Sequence, residues 1–411
     1  MTYSLSTIRR SPFTVCPFLI MKEKLWNKNF LNVCVANFLM ASSFHLLMPT
    51  IPIYLTENLH IHQSRIGIVM ASYSLAMLLV RPFSGYIVDV FDRKKFYLLA
   101  LILFVCTFLG YLYVATVALM IIVRFVHGAF WAMTTVSSNT MAIDIIPVSR
   151  RAEGVGYFGM NMNLAMAIAP FVAINIFEMF GFHTLVFCSV GMGIFAIIAV
   201  IFVKAPQKSI SKDRPPMSFD RFILIKGLPV FFNQIMVTVG WGMLITYAVL
   251  HGKQLNIPNA SIFFLFLAVG LILSRIISGR FVDKGYIHIV SIIALSVITI
   301  SLFSFSTWHA AIAFYISAFF IGIGYGTLLP AFQTIFINMA TNDRRGTANS
   351  TYLTGFDLGI GLGMLLGGFL SSSHPLSYLF LVASGLGFCS IFFYIFISRK
   401  VYDRNKLRVL S

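Results

Sequence analysis

Of the thirteen acidic residues in this 411-residue chain, Asp357 alone lies well inside a long apolar stretch. An ionisable group carried away from water costs about 2.5–3.5 kcal/mol on membrane-insertion scales and is a functional hypothesis by default. A carboxylate so placed can exchange a proton at physiological pH, which makes proton transfer the first chemistry to consider. Arg124 is its obvious basic counterpart, with His127 almost one turn further along and His45 in an earlier apolar stretch. Together they could form a proton relay or bind an anionic group. Each also has a plainer reading: Asp357 as a structural hydrogen-bonder to a neighbouring helix or to span two, and the histidines as packed core residues.

The elements that must position these groups are membrane helices. A composition of 58% hydrophobic and 10% charged residues, with mean hydropathy +0.88, does not describe a water-soluble domain. A spanning helix needs about 20 mostly apolar residues. The chain divides into twelve such stretches, starting near residues 29, 64, 96, 118, 154, 182, 226, 259, 287, 310, 346 and 376. Runs of this length exclude outer-membrane strands, which would alternate over about ten residues. The fold class expected is therefore an all-α membrane protein. Asp357 falls about eleven residues into the eleventh stretch, roughly 16 Å along a helix and close to the bilayer midplane. Its neighbours Gly355, Gly359, Gly361, Gly363 and Gly367 permit close helix approach.

A formal charge of +17 would suggest nucleic acid as a partner in a soluble chain. Here 25 of the 30 basic residues fall on one side of the twelve-span topology, including clusters at 93–95, 204–226 and after 398. The positive-inside rule explains this asymmetry and places both termini in the cytoplasm, so no nucleic acid is implied. Five cysteines show neither a disulfide framework nor metal spacing. Residues 1–20 include a short apolar patch, Pro12 to Ile20, without a convincing cleavage site; the stretch from Met21 looks like an ordinary cytoplasmic start, and residues 1–20 are expected to be a disordered or misassigned extension.

The chain repeats itself at one offset. Arg81, Ser84, Gly85, Val88 and Asp89 recur 194 residues later as Arg275, Ser278, Gly279, Val282 and Asp283, and the same shift carries Gly128 onto Gly322. Arg150 and Arg151 likewise become Arg344 and Arg345. The shift maps span two onto eight, four onto ten and five onto eleven. Two halves of six helices running in the same sense should be related by an axis along the membrane normal. The domains expected are a cytoplasmic segment at 1–28, a six-helix bundle at 29–203, a polar linker at 204–225, a second bundle at 226–398 and a basic tail at 399–411. The repeat pairs Asn163 with Asp357 and Arg124 with Ala318, so the candidate coupling groups sit where the symmetry is broken.

The run Gly85-Tyr86-Ile87-Val88-Asp89-Val90-Phe91-Asp92-Arg93-Lys94-Lys95 resembles the loop two–three signature of the major facilitator superfamily, Gly-x-x-x-Asp-basic-x-Gly-Arg-basic, with a degenerate copy at Gly279 to Lys284. Met48-Pro49-Thr50-Ile51-Pro52 looks like the Pro-x-x-Pro element of twelve-span drug:proton antiporters, and Arg124-Phe125-Val126-His127-Gly128 is similar to the family's Arg-x-x-Gln-Gly pattern. Ala169-Pro170 stands where the antiporter signature has Gly-Pro. The resemblance covers residues 29–398 and implies two pseudosymmetric bundles that rock about a midplane cavity. It also implies a gate formed by Gly85, Asp89, Arg93, Gly279 and Asp283. In that gate Asp89 caps Thr347 to Ser350 in the outward-facing state, and Asp283 approaches the start of span five near Gly154. By the same analogy Pro49, Pro52, Asn37, Asn163, Asn233, Gln234 and Gln333 face the cavity, with Trp131, Trp241 and Tyr325 as aromatic walls.

The function expected is secondary active transport, foremost proton-coupled efflux of small amphipathic or drug-like molecules. Import of a nutrient by proton symport is the alternative on the same fold. A membrane-embedded enzyme would need clustered nucleophile, base or metal ligands at one interface, which the scattered histidines do not supply, and a non-transporting sensor is the remaining reading. No Gly-x-x-x-x-Gly-Lys loop is present, so an ion gradient, H⁺ or Na⁺, is the expected energy source. No cofactor or metal is expected. The partners expected are the substrate, the coupling ion and the lipid bilayer, with the chain acting as a monomer in a bacterial inner membrane.

Overall fold

The computed structural model describes residues 24–90, 92–147, 150–204, 223–341 and 345–407, and the regular elements within them are helices. In chain order the helices are α1 (Lys28–Leu47), α2 (Thr50–Glu57), α3 (Gln63–Val90), α4 (Arg93–Gly110), α5 (Val117–Ile145) and α6 (Arg151–Ile201). The second set is α7 (Leu228–Gln254), α8 (Ile262–Asp283), α9 (Ile287–Thr307), α10 (Ala311–Asn338), α11 (Arg345–Leu370), α12 (Leu376–Phe393) and α13 (Arg399–Asn405). Nine helices among the described residues are long and apolar enough to cross a membrane.

Three departures from uniform spans have local causes. The first span breaks between α1 and α2 at Met48-Pro49, because proline has no N–H to continue the ladder. Beside the break the Thr50 hydroxyl donates to the carbonyls of Leu46 and Leu47, both at 3.1 Å. The 51 residues of α6 would extend about 76 Å if straight, more than twice the ~30 Å hydrocarbon core. They turn back at Gly181, whose φ of 78° and ψ of 175° only glycine adopts readily, and so supply two spans without a loop. At the chain's far end, α12 runs through a π-helical segment, Tyr394–Ser398, into α13, so the basic tail expected from residue 399 is helical to Asn405. Elsewhere the starts follow their caps: Asn27, Asp92 and Thr116 accept from the backbone N–H three residues on.

Packing divides the helices into two sets. In the first, α1 packs on α6, α3 on α5, and α4 on both α5 and α6; in the second, α7 packs on α11 and α12, α8 on α10, and α9 on α10 and α12. The sets meet where α3 crosses α11 and where α6 crosses α8. These two crossings exchange under the 194-residue shift. The same shift is visible at atomic scale: a Cβ on Gly128 would strike the carbonyl of Tyr73, and a Cβ on Gly322 would strike the carbonyl of Leu267, its image in the other set. Large apolar side chains including Phe83, Ile122, Phe195, Ile300, Ile312 and Phe369 point outward, as a lipid-facing surface requires.

Both ends of the described chain and the borders of the 205–222 segment lie on one face, here the terminal face. Lys204 N–H donates to Asn29 Oδ1 (3.0 Å) and Leu407 N–H to the carbonyl of Asn338 (3.0 Å) there. On the opposite face Lys253, ending α7, bridges to Glu57 of α2 at 2.7 Å and to Glu178 of α6 at 4.0 Å, tying the two sets together.

Candidate functional site

The site is built on the α3–α11 seam. Glycines in α11 present two faces. Gly355, Gly359, Gly363 and Gly367, four apart, fall against Phe231, Thr238, Val239 and Tyr247 of α7, within one set. Gly361 and Gly368 turn towards α3 of the other set. Contact begins where a Cβ on Gly67 would come within 2.6 Å of the Met364 carbonyl and 2.8 Å of Gly368 Cα, and continues at Ser74, 2.7 Å from a Cβ on Gly361. It ends in an ion pair: Arg81 Nη2 lies 2.7 Å from Asp357 Oδ2, with both side chains about nine-tenths buried. The residues on α3 advance by seven as those on α11 step back, the register of two antiparallel helices in close contact.

This pair corrects the expected partnership of Asp357 with Arg124. The geometry is that of an ion pair without a well-formed hydrogen bond, since Asp357 Oδ2 and Arg81 Nε both lack a hydrogen-bond partner. A buried pair of that quality contributes little net stability, although removing one partner is costly.

Asp357 also forms part of the largely apolar wall of a cavity between the two sets. Of the residues singled out by sequence, His45, Pro49, Trp131, Pro170, Trp241 and Asp357 are in this wall. Trp131 stacks on Phe44, ring centroids 4.0 Å apart, and Trp241 meets Tyr325 edge-on at 4.8 Å. Met48, Met162 and Met166 supply flexible apolar surface that adapts to different shapes.

Other expected cavity residues serve as struts between helices. Asn37 Nδ2 donates to the Phe158 carbonyl (3.3 Å) and Asn233 Nδ2 to that of Ser390 (2.9 Å). Gln234 Nε2 donates to the Tyr352 carbonyl (3.0 Å), Gln333 Nε2 to Asn349 Oδ1 (2.9 Å) and the Tyr325 hydroxyl to the Val237 carbonyl (2.8 Å). Pro52 is buried within α2. Arg124 and His127 are fully buried and outside the cavity wall. Arg124 reaches Met48 Sδ and the Met70 carbonyl with its guanidinium 4.7 Å over the Tyr73 ring, while His127 Nδ1 shares a 2.8 Å hydrogen bond with the Tyr111 hydroxyl. Of the expected gate, Arg93 forms an ion pair with Asp144 of α5, inside its own set. The side chains of Asp89, Asp283 and Asn163, and the surroundings of Gly85 and Gly279, lie outside the described residues, as does the chain before residue 24.

Sequence reasoning missed Arg81 as the partner of Asp357, although Arg81 was visible as the first residue of the repeated element. It also missed Phe44, Met48, Tyr73 and Phe356 of the cavity wall. These are apolar or aromatic residues in apolar helices, and nothing local distinguishes a cavity-facing one from a lipid-facing one.

Two helix sets joined along two crossings around a shared cavity, with a buried ion pair beside that cavity, define a membrane transporter of the two-bundle type. The profile of the Major Facilitator Superfamily matches residues 33–334 and 230–409, and the chain belongs to that family. The multi-drug resistance efflux pump PmrA of Streptococcus pneumoniae is 23% identical over 340 residues, covering 78% of this chain and 83% of the relative. The quinolone resistance protein NorA of Staphylococcus aureus is 24% identical over 330 residues, covering 76% and 83%, and the staphylopine export protein of that organism 24% over 314, covering 73% and 79%. Among solved structures, a mutant form of the nucleoside transporter NupG superposes with a TM-score of 0.75 at 14% identity over 90% of this chain and 99% of its own. A peptide transporter, POT, in complex with alafosfalin superposes with a TM-score of 0.74 at 12% identity over 92% and 96%. The fold is thus the major facilitator fold.

Proposed function

We propose that this protein exports small amphipathic molecules from the bacterial cytoplasm in exchange for protons, with Asp357 as the proton carrier. The observation that carries the reading is the Arg81–Asp357 pair, which lies both on the seam between the two helix sets and in contact with the cavity. The positive-inside rule makes the terminal face cytoplasmic. The seam at Gly67–Gly368 and the Lys253 bridges then lie on the extracellular side, and we take this conformation as the inward-facing one of the cycle.

The cycle follows from the geometry. Facing inward, Arg81 holds Asp357 ionised and the cavity accepts substrate. Opening outward draws α3 from α11, leaves Asp357 without its counter-charge, and lets it take a proton from outside while substrate leaves. Closing the seam returns Arg81 to Asp357 and expels the proton inward. One proton entering per substrate leaving is antiport, in keeping with the exporters among its relatives. The domains expected from sequence supply the moving bodies, the 29–203 and 226–398 bundles, and the protein is taken to work as a monomer.

The test is transport by purified protein in proteoliposomes, with a proton gradient or a sodium gradient imposed. A proton gradient should drive substrate against the proton flow, and a sodium gradient at constant pH should have no effect. Movement of substrate with the protons would instead identify a symporter.

A further inference from the structure

The charges around the cavity do not balance. Asp357, the carboxylate of the wall, is paired with Arg81. Arg124 is fully buried, and among the described residues no carboxylate lies within 4 Å of it. Its contacts are all with uncharged groups: Met48 Sδ at 3.6 and 3.5 Å from the two terminal nitrogens, the Met70 carbonyl at 3.3 Å, the Tyr111 hydroxyl and the face of Tyr73, while Nε has no partner. Met48 and Tyr73 are themselves wall residues, so the guanidinium stands one side chain behind the cavity surface. The other titratable groups nearby are His45, in the wall, and His127, in contact with Phe44 of the wall; both have an unpartnered Nε2 and neither can supply negative charge.

We propose that the cavity selects amphipathic molecules carrying one negative charge, an aromatic or aliphatic body bearing a carboxylate or sulfonate, over lipophilic cations. This rests on the transport reading only in placing the substrate in this cavity. A net positive charge behind low-dielectric walls attracts an anion and repels a cation. Aromatic rings in the wall would favour a cation through their faces, but the Tyr73 face is already engaged by Arg124. A full charge one side chain away outweighs what remains. Protonation of Asp357 or of either histidine would only add to the excess.

The experiment is equilibrium dialysis of the purified full-length protein in uncharged maltoside micelles against three probes of one shape: 2-naphthylacetate, 2-naphthylethanol and 2-naphthylmethyl-trimethylammonium. The expected order is acid, alcohol, ammonium, with the acid about tenfold tighter than the alcohol, a difference that one partly screened charge can supply. Arg124→Gln should bring the acid to the affinity of the alcohol without changing the alcohol, and Arg124→Lys should keep the preference. Tighter binding of the ammonium, or an acid preference that survives in Arg124→Gln, overturns the assignment. The wild-type comparison decides the order even if Arg124→Gln does not fold. Absence of saturable binding by all three, the uncharged alcohol included, overturns the transport reading of this cavity along with it. A cation preference overturns the charge assignment alone.

Discussion

Arg81 of α3 and Asp357 of α11 meet at 2.7 Å at the inner end of a glycine-lined seam whose outer end is the contact of Gly67 with Gly368. In the proposed cycle the same seam governs whether the extracellular side is closed and whether Asp357 has a counter-charge. In that cycle conformation and protonation are linked through one pair of helices.

Replacing Arg81 should uncouple the two. Removing one partner of a buried ion pair costs about 3–5 kcal/mol unless the remaining charge is neutralised. In Arg81→Gln, Asp357 should therefore stay protonated in both conformations. Transport driven by a proton gradient should fall at least about tenfold, and the exchanged pair, Arg81→Asp with Asp357→Arg, should recover thermal stability lost by either single variant. Melting of the four proteins in detergent measures this; simple additivity of the losses would mean that the contact carries no coupling.

Lys253 is a weaker tie. Its side chain and that of Glu57 are partly exposed, 33% and 43%, and such bridges contribute about 0.2–1 kcal/mol. Lys253→Ala should raise the outward-open population up to about fivefold without loss of folding. The reading is the rate at which an impermeant thiol reagent, added from the extracellular side, labels Met162→Cys in a background without native cysteines. An unchanged rate would remove the bridge from the gate.

The two glycine faces of α11 predict two different defects. At Gly67 a side chain would enter the seam between the sets, so Gly67→Val should hold the extracellular side open and increase the same labelling. At Gly363 it would strike the Val239 carbonyl of α7 inside one set, so Gly363→Val should cost about 1–3 kcal/mol through overpacking and lower the melting temperature without favouring either conformation. Equal effects of both substitutions on labelling would contradict the division of faces.

Val88 and Asp89 follow Arg81 by seven and eight residues along α3, towards the face at which α11 starts. Asp89 is proposed to meet that helix N-terminus only when the cytoplasmic side closes, a contact of about 0.3–1 kcal/mol. Asp89→Ala should accordingly shift the protein toward the inward-open form and slow labelling of Met162→Cys from outside. No change would leave Asp89 as part of a solvated turn.

The twofold plan could be read from sequence because close helix contact demands glycine. Gly128 against Tyr73 and Gly322 against Leu267 impose the same requirement twice, and it survives as identity at one offset. The buried charge at Asp357 was legible for a similar reason, since few apolar spans tolerate a carboxylate. Its partner was not. Arg81 and Arg124 are both cations in spans, and only the crossing of α3 over α11 brings one to Asp357, while Met48, Met70 and Tyr73 hold the other. The struts failed for the converse reason: Asn37, Asn233 and Gln333 have the residue types of a polar cavity, but those types equally satisfy backbone and side-chain groups on neighbouring helices.

The most direct test of Asp357 as the proton carrier is Asp357→Asn, assayed in proteoliposomes in two modes. Substrate counterflow at equal pH needs only alternating access, whereas accumulation under an imposed pH gradient needs the proton. The account predicts that the variant keeps counterflow and loses gradient-driven accumulation. Accumulation at the wild-type level would contradict it.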